Sequence, residues 1–357
     1  MEKQDHIVYQ QFSSINVNDN FFDSLRNSYS DFNSWFQTKA SQSKKAYVSY
    51  DDDQHLIAFL FLKTETGPEP GVSPVLDGNR IKIGTFKVDW NHHSALGKRL
   101  LAIAMRKFAF YSSKYSKIYV TLFENEKTKG LKKLLELYGF DLFGTKNKDE
   151  LVFVKNVPSN IESNPFKIFP FISQQNGTDY LLAVLPKFHS LMFGDVNLQS
   201  EKDISVPDTS SINNIEKVYL SASVNSQLLT FGDHLIAYRM TDYKGSAYYR
   251  SVTTSVGTVI EVKNLSNFVT FTDFEQYVKN KSVFSSDELS RFWKQRTYPW
   301  VIKFLYNFSF EKYPNREKLL NNNIINEDQR IVVQRIEKKS FIELVKLGET
   351  NESFIID

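Results

Sequence analysis

The 357-residue chain has no cysteine, which excludes disulfides, thiolate metal sites and a cysteine nucleophile, and fits a reducing, cytoplasmic setting. Its opening, MEKQDHIVYQ, lacks the apolar core of a secretory leader, and no later run reaches the ~18 apolar residues of a membrane-spanning helix. No membrane partner is expected. An excess of one charge is also missing: 44 basic against 41 acidic side chains leave a net charge of +3, too weak a field to steer nucleic acid or an anionic surface. Residues 1–155 carry 22 basic against 18 acidic side chains and the remainder 22 against 23, so neither part reads as a basic module. The six histidines follow no metal-ligand spacing. No metal is expected, and no internal repeat is evident.

What the chain does have is apolar and aromatic substance. Hydrophobic residues make up 41% and aromatic residues 15%, with 30 Phe and 18 Tyr, enough for packed cores rather than a disordered chain. Most of those rings belong to cores. The length suits two domains of about 150 residues each.

From Asn18 to Lys39, Phe21, Phe22, Leu25, Phe32, Trp35 and Phe36 recur at roughly helical spacing behind Asn and Asp caps, which predicts two short helices. Ala46 to Thr64 reads as a hairpin turning at Asp51-Asp52-Asp53, three aspartates better explained by a turn than by a metal. The stretch from Glu65 to Gly78 is dense in Pro and Gly and predicts a loop. Next comes IKIGTFKVDWNHHSALGKRLL from Ile81 to Leu101, an apolar strand, a polar break and a helix opening at Gly97. Free N–H groups at such a helix start, together with its dipole, bind anions, phosphates above all; Lys98 and Arg99 add side-chain charge. Helix Leu96–Ser112, strand Lys117–Phe123, helix Thr128–Tyr138 and strands Phe140–Gly144 and Glu150–Lys155 complete a mixed sheet flanked by helices, an α/β (α+β) class.

With these neighbours, the Ile81–Leu101 segment resembles motif A of the GNAT superfamily of N-acetyltransferases, whose Gln/Arg-x-x-Gly-x-Gly/Ala loop wraps the pyrophosphate of acetyl-coenzyme A. Gly97 matches the last position, Ala95 stands at the earlier glycine, and His92 replaces the Gln or Arg. Downstream, Ile118 to Lys155 resembles the family's next strand, helix and closing hairpin, with Gly139-Phe140 at its terminal Gly-Phe.

The resemblance implies acetyl-coenzyme A as co-substrate and a set of binding positions: the backbone of Phe86, Lys87 and Val88 along the thioester and pantetheine, His92, His93, Ala95, Leu96, Gly97 and Lys98 around the pyrophosphate, and Thr128 at the position of a family Asn. His92 and His93 fit as loop lining better than as catalysts. It also implies that the Glu65–Gly78 loop borders the acceptor. A base is expected among Asp89, Glu124 and Glu65, with Glu124 and Asp89 the catalytic candidates. The tyrosine that protonates the departing thiolate in many members is Leu135 here, and Tyr138 is almost one turn out of register with it.

Polar Asn156–Pro165, NVPSNIESNP, marks the linker. The expected organisation is a GNAT-like domain over 1–155, a linker over 156–166, and a second domain over 167–357. Strands predominate in the latter: Asp179–Leu185, Val218–Ala222, His234–Met240, Ser255–Val262 and Trp300–Phe310, with short helices among them and a terminal helix around Phe341 and Leu344. Asn197–Asn214 reads as an exposed loop. The order of these segments, with Gly232-Asp233 opening a strand that ends at Tyr238-Arg239, is similar to the PUA-like superfamily that includes ASCH and EVE domains, which implies a β-barrel with small helices. Tyr238 and Arg239 are the candidate substrate-binding pair. Adjacent strand residues face opposite ways, and Arg239 is expected to face the pocket.

The function implied is acetyl-coenzyme A-dependent N-acetyl transfer to an amine acceptor chosen by the second domain, an RNA or RNA-linked substrate among the choices. The alternative is a catalytically degenerate protein that binds coenzyme A or nucleic acid and regulates.

Overall fold

The computed structural model describes residues 7–89, 96–159, 162–194, 196, 198, 214–242, 244–328 and 330–356. They divide into two compact units, the first ending at Val157 and the second beginning at Pro158.

The first unit runs β1 (Ile7–Gln11), α1 (Asp23–Ser28), α2 (Phe32–Ser41), β2 (Lys45–Tyr50), β3 (Leu56–Glu65), β4 (Val72–Ser73), β5 (Arg80–Val88), α3 (Leu96–Phe110), β6 (Lys117–Phe123), α4 (Lys129–Leu137), β7 (Asp141–Lys146) and β8 (Glu150–Asn156). All eight strands share one sheet in the order β1-β2-β3-β5-β6-β8-β7-β4. Every pairing is antiparallel except β5 with β6. The β2–β3 hairpin turns where expected, with the Asp51 carboxylate accepting from the N–H groups of Asp53 and His55.

Strand alternation assigns the two faces of this sheet. Ala46 and Val48 of β2 and Phe59 and Phe61 of β3 pack with Phe22, Phe32 and Phe36 of the α1–α2 region; the Phe22 and Phe59 rings meet edge to face at 5.3 Å. Tyr47, between Ala46 and Val48, points the other way and lies beneath Lys107 of α3. Helix α3 buries Leu96, Leu100, Leu101, Met105 and Phe108 against that second face, a stripe of helical period. Helix α4 stops at Gly139, whose φ of +77° lets the Phe140 N–H return to the Leu135 carbonyl at 3.0 Å.

The second unit runs α5 (Pro165–Ile168), β9 (Ile172–Ser173), β10 (Asp179–Val184), α6 (Pro186–Met192), β11 (Glu216–Ser221), β12 (His234–Arg239), α7 (Ala247–Arg250), β13 (Val252–Asn264), α8 (Phe271–Val278), α9 (Ser286–Gln295), β14 (Trp300–Ser309), α10 (Arg316–Asn321), β15 (Val333–Ile336), α11 (Lys338–Leu347) and β16 (Ile355–Ile356). Six strands form a sheet in the order β11-β14-β13-β12-β10-β15, and β16 pairs with β9 in a second, two-stranded one. Strands β10 and β12 are parallel, joined at one remove through α6 and β11. Capping boxes at Thr270 and Ser285 start α8 and α9. Their buried Phe274, Leu289 and Phe292 join the core of Val218, Val259, Phe304 and Tyr306 from the sheet. The terminal helix, α11, buries Phe341, Leu344 and Val345.

The first unit is the mixed sheet flanked by helices that the sequence predicts; the second, expected as a β-barrel with small helices, is a mixed six-stranded sheet with helices, running from β11 to β15. The Asn197–Asn214 segment lies almost wholly outside the described residues. Among the described residues, no helix is long and apolar enough to cross a membrane, and no cluster of three or more His, Asp or Glu could hold a metal ion.

Candidate active site

The parallel pair β5–β6 is the unusual feature of the first sheet. Its ladder runs only from Arg80 opposite Lys117 to Ile83 opposite Val120. Past that point β5 continues to Val88 paired with β3, and β6 continues to Phe123 paired with β8. A bulge marks the parting. The β3–β5 register shifts between Phe61 and Leu62, so that Phe61 opposes Thr85, Leu62 opposes Ile83, and Gly84 is the extra residue. Such a bulge bends a strand and re-aims its edge. A Cβ at Gly84 would lie 3.1 Å from the Phe61 ring, so a side chain there would press on the core beneath the bend.

The consequence is a cleft in the middle of a sheet. Alternate peptide groups along Thr85–Val88 face β6 with no ladder partner among the described residues. Phe86, Lys87 and Val88 are half-buried there. At the same end of the sheet α3 begins at Leu96, with Gly97 and Lys98 half-buried in its first turn. A Cβ built on Gly97 would meet nothing within 4 Å. His92, His93 and Ala95 lie outside the described residues.

The side chains around the cleft differ from those the sequence suggests. Lys87 turns its ammonium onto the Phe21 carbonyl and the Ser24 hydroxyl, tying β5 to the α1 region. Thr128 donates from its hydroxyl to the Phe123 carbonyl at 2.6 Å and accepts from the Asn125 N–H at 3.1 Å, so it fastens the start of α4 to the end of β6. Asp89 is half-buried at the end of β5, its N–H on the Ile57 carbonyl at 2.8 Å. Glu124 is an exposed surface carboxylate paired with Lys132 at 2.5 Å.

Tyr29 lies between α1 and α2. Its ring lies 5.8 Å from that of Phe123 at the end of β6, and Phe123 is paired with Glu150. Burial, and then the Glu150 carboxylate, push the Tyr29 phenol up to about 12, so it carries its proton throughout the neutral range. Leu135 and Tyr138, by contrast, are buried in the unit. No spacing rule links Tyr29 to β6. Only the packing of the α1–α2 connection against that strand's end brings them together.

Glu65 does not reach the cleft. It pairs in register with Arg80, the first residue of β5, about 26 Å of extended strand from Val88. There it accepts a hydrogen bond from the Tyr119 hydroxyl at 2.5 Å and pairs with Lys63 at 2.7 Å. Beside it the 66–78 loop inserts Glu69 between Arg80 at 3.1 Å, Lys82 at 3.0 Å and Lys146 at 2.6 Å. Burial alone would raise the Glu69 pKa, but hydrogen bonds from Lys146 and Lys82 outweigh it and hold the group far below the usual carboxylate range. The loop expected to border an acceptor is instead clamped at the opposite end of the strand.

In the second unit, Tyr238 and Arg239 are both buried, on opposite faces of β12. The Arg239 guanidinium donates to the carbonyls of Met240 and Arg250, each at 3.3 Å. Nearby, His189 of α6 is bonded through Nε2 to the Thr254 hydroxyl at 2.7 Å. Thr254 is the extra residue where the β12–β13 register shifts, so a bulge turns this side chain inward. Burial, then the Arg239 charge, push the His189 pKa down to about 3. A second set joins β10, β12 and α11: buried Asp179 is hydrogen-bonded to His234 Nδ1 and ion-paired with Lys338, each at 2.8 Å, and the Phe341 ring stacks on His234. The Gly232-Asp233 step serves the turn, Asp233 accepting from the N–H groups of Thr178 and Thr230. Elsewhere in this unit Tyr219 is buried on the Ala183 carbonyl, Tyr248 is half-buried, Tyr249 is exposed, and Arg250 is paired with Asp242.

No protein-family model matches the chain, and no curated protein matches it. Solved structures do. One is a point mutant of the ASCH protein of Zymomonas mobilis, at 8% identity and a TM-score of 0.31, covering 48% of this chain and 96% of that one. Another is Arabidopsis thaliana NAA60 in complex with a bisubstrate analogue, at 16% identity and a TM-score of 0.30, covering 42% and 97%. A third is a putative GNAT-family acetyltransferase of Desulfovibrio desulfuricans, at 12% identity and a TM-score of 0.28, covering 43% and 100%. The solved structures similar to this chain thus include GNAT acetyltransferases and an ASCH protein.

Proposed function

We propose that the protein is an acetyl-coenzyme A-dependent N-acetyltransferase, with the reaction in the β5–β6 cleft of the first unit. The observation that carries this reading is the parting of the two strands after Ile83 and Val120, directly before the start of α3. A strand edge left open inside a sheet offers peptide donors and acceptors to an extended amide chain, which is what pantetheine is. Phe86, Lys87 and Val88 would hold it by their backbones, and an N–H in this run would polarise the thioester oxygen. The helix start at Leu96, Gly97 and Lys98 would receive the pyrophosphate.

In the reaction, the acceptor nitrogen attacks the thioester carbon, the C–N bond forms, the C–S bond breaks, and the amine proton is lost while the thiolate gains one. Tyr29, protonated at neutral pH and placed beside the end of β6, is our candidate for the proton to sulfur. Asp89 at the end of β5 is the better placed of the two catalytic carboxylates; Glu124, turned outward to Lys132, would act only after releasing that partner. The second unit, joined through residues 156–166, would select the amine acceptor; Arg239 and Tyr238, both buried, would touch it only after the segments covering β12 part. An RNA-linked amine is one class of acceptor this reading admits.

The test is calorimetric titration of the full chain with acetyl-coenzyme A, followed by thiol release with a panel of amine acceptors. Binding with turnover supports the enzyme. Absence of binding overturns it, and binding without turnover favours a coenzyme A-binding regulator, a reading to which the buried Leu135 at the family's tyrosine position lends weight.

A further inference from the structure

The first unit carries an aromatic and cationic face that the cleft chemistry does not use. Strand β1 is at an edge of its sheet, and Tyr9 on it opposes Tyr47 of β2. Their rings stack at 4.4 Å with 28° between planes, and Tyr9 is 49% exposed. Helix α3 ends over this pair. Lys107 lies 5.5 Å from the centre of the Tyr9 ring and 6.0 Å from that of Tyr47. Tyr111, four residues on and therefore on the same side, is 43% exposed. The Tyr9 and Tyr111 hydroxyls are near enough to raise the Tyr47 pKa after burial has done so. Lys45 adds a cation 5.6 Å from the Tyr9 ring, and Lys114 sits beyond Tyr111 over Tyr115.

Two physical features select the occupant. Among the described residues, Lys45, Lys107 and Lys114 have no carboxylate within ion-pair distance, so the face is positive without compensation although the chain as a whole is nearly neutral. Three lysines gathered on one face also repel the same face of a second copy. What remains is a polyanion, and the partly exposed rings of Tyr9 and Tyr111 suit one that carries flat rings. Bases stack on such rings while phosphates lie along the lysines. We propose that this face binds single-stranded nucleic acid, with Tyr9 and Tyr111 stacking unpaired bases and Lys45, Lys107 and Lys114 holding the backbone. A duplex keeps its bases stacked on each other and an acidic peptide has none to offer, so both should bind more weakly.

The experiment is fluorescence anisotropy of a fluorescein-labelled 12-nucleotide oligouridine against the full chain at two salt concentrations. Binding should weaken as salt rises. Tyr9→Leu with Tyr111→Leu should weaken it at least thirtyfold at both salts, about 1 kcal/mol or more for each of the two lost stacks. Tyr9→Phe with Tyr111→Phe should retain it. Lys45→Ala with Lys107→Ala should weaken it mainly at low salt and flatten the salt dependence. All these variants should keep the parent's melting temperature within a few degrees and its affinity for acetyl-coenzyme A, which separates this face from the cleft. The proposal is overturned by no binding, by equal binding of labelled polyglutamate or of a duplex of the same length, or by unchanged binding in the leucine variant.

Discussion

The two units treat polar groups in opposite ways. In the first, the candidate site is made by withholding contacts: β5 and β6 part after four pairs, and the peptide groups beyond that face the gap have no ladder partner among the described residues. In the second, β12 lies between β10 and β13 along its whole length, and the polar chemistry sits in buried side chains, His189 on Thr254 and Asp179 on His234. A bulge appears in both, at Gly84 and at Thr254. At Gly84 it accompanies an opened strand edge; at Thr254 it turns a hydroxyl into the core. The same local device thus yields an exposed backbone site or an enclosed side-chain contact, according to whether the neighbouring strand follows the bend.

The largest expected effect lies at a place where the first unit, like the second, buries polar side chains. Glu69 joins three cations around the start of β5, and removing one partner from a buried ion cluster leaves uncompensated charge, at a cost of about 3–5 kcal/mol. Urea unfolding of Glu69→Gln should register a loss of that size at neutral pH, with acetyl-coenzyme A affinity little changed in the fraction that remains folded. The carboxylate's pKa is depressed in the folded protein, so its contribution is present at neutral pH and is lost only under strongly acidic conditions, as pH falls from the unfolded value through the folded one. A loss below 1 kcal/mol would show the cluster to be solvated surface.

Next is Gly97→Glu. The new side chain has open space, so melting should change little, while its charge at the helix start should cut acetyl-coenzyme A affinity at least a hundredfold, about 2.7 kcal/mol. Affinity within threefold of the parent would place the pyrophosphate elsewhere. Tyr29→Phe should follow, with kcat for thiol release falling about ten- to a hundredfold and KM for acetyl-coenzyme A nearly unchanged. Because the phenol titrates only at about 12, the parent's rate should show no alkaline limb due to Tyr29 below about pH 10; an unaltered kcat in the variant would remove this residue from the chemistry.

The smallest effect tests the second unit. The folded state keeps His189 neutral down to about pH 3, whereas an unfolded histidine protonates near 6.5. Protons therefore favour unfolding in that window, and stability should decline by up to about 1.4 kcal/mol per pH unit as pH falls below about 6.5. His189→Gln should flatten this slope in urea titrations of the second unit's transition. An equal slope in the variant would mean that His189 is solvated, contrary to its enclosed contact with Thr254.

Periodicity and turn chemistry alone determined much of this protein. The Asp51 turn, the strand to Val88, the Leu96 helix, the Gly139 stop and the terminal helix at Phe341 are local features, each fixed by side-chain spacing or by a residue's own backbone preference, and the mixed sheet of the first unit follows from their order. The tertiary structure decided what those elements do to one another. Whether β6 follows β5 past Ile83 depends on a bulge against the Phe61 ring, which no spacing encodes. Glu65 looked free to serve as a base because its partner Arg80 is fifteen residues away along the chain yet directly opposite in the sheet. Tyr29 and Phe123 are far apart in sequence and meet only through packing, and Tyr9 and Lys107 gather on one face only because α3 crosses the sheet to its edge strand. Local preference is a property of neighbouring residues, but the pKa, exposure and partners of a side chain are set by whatever the fold brings within a few ångströms of it.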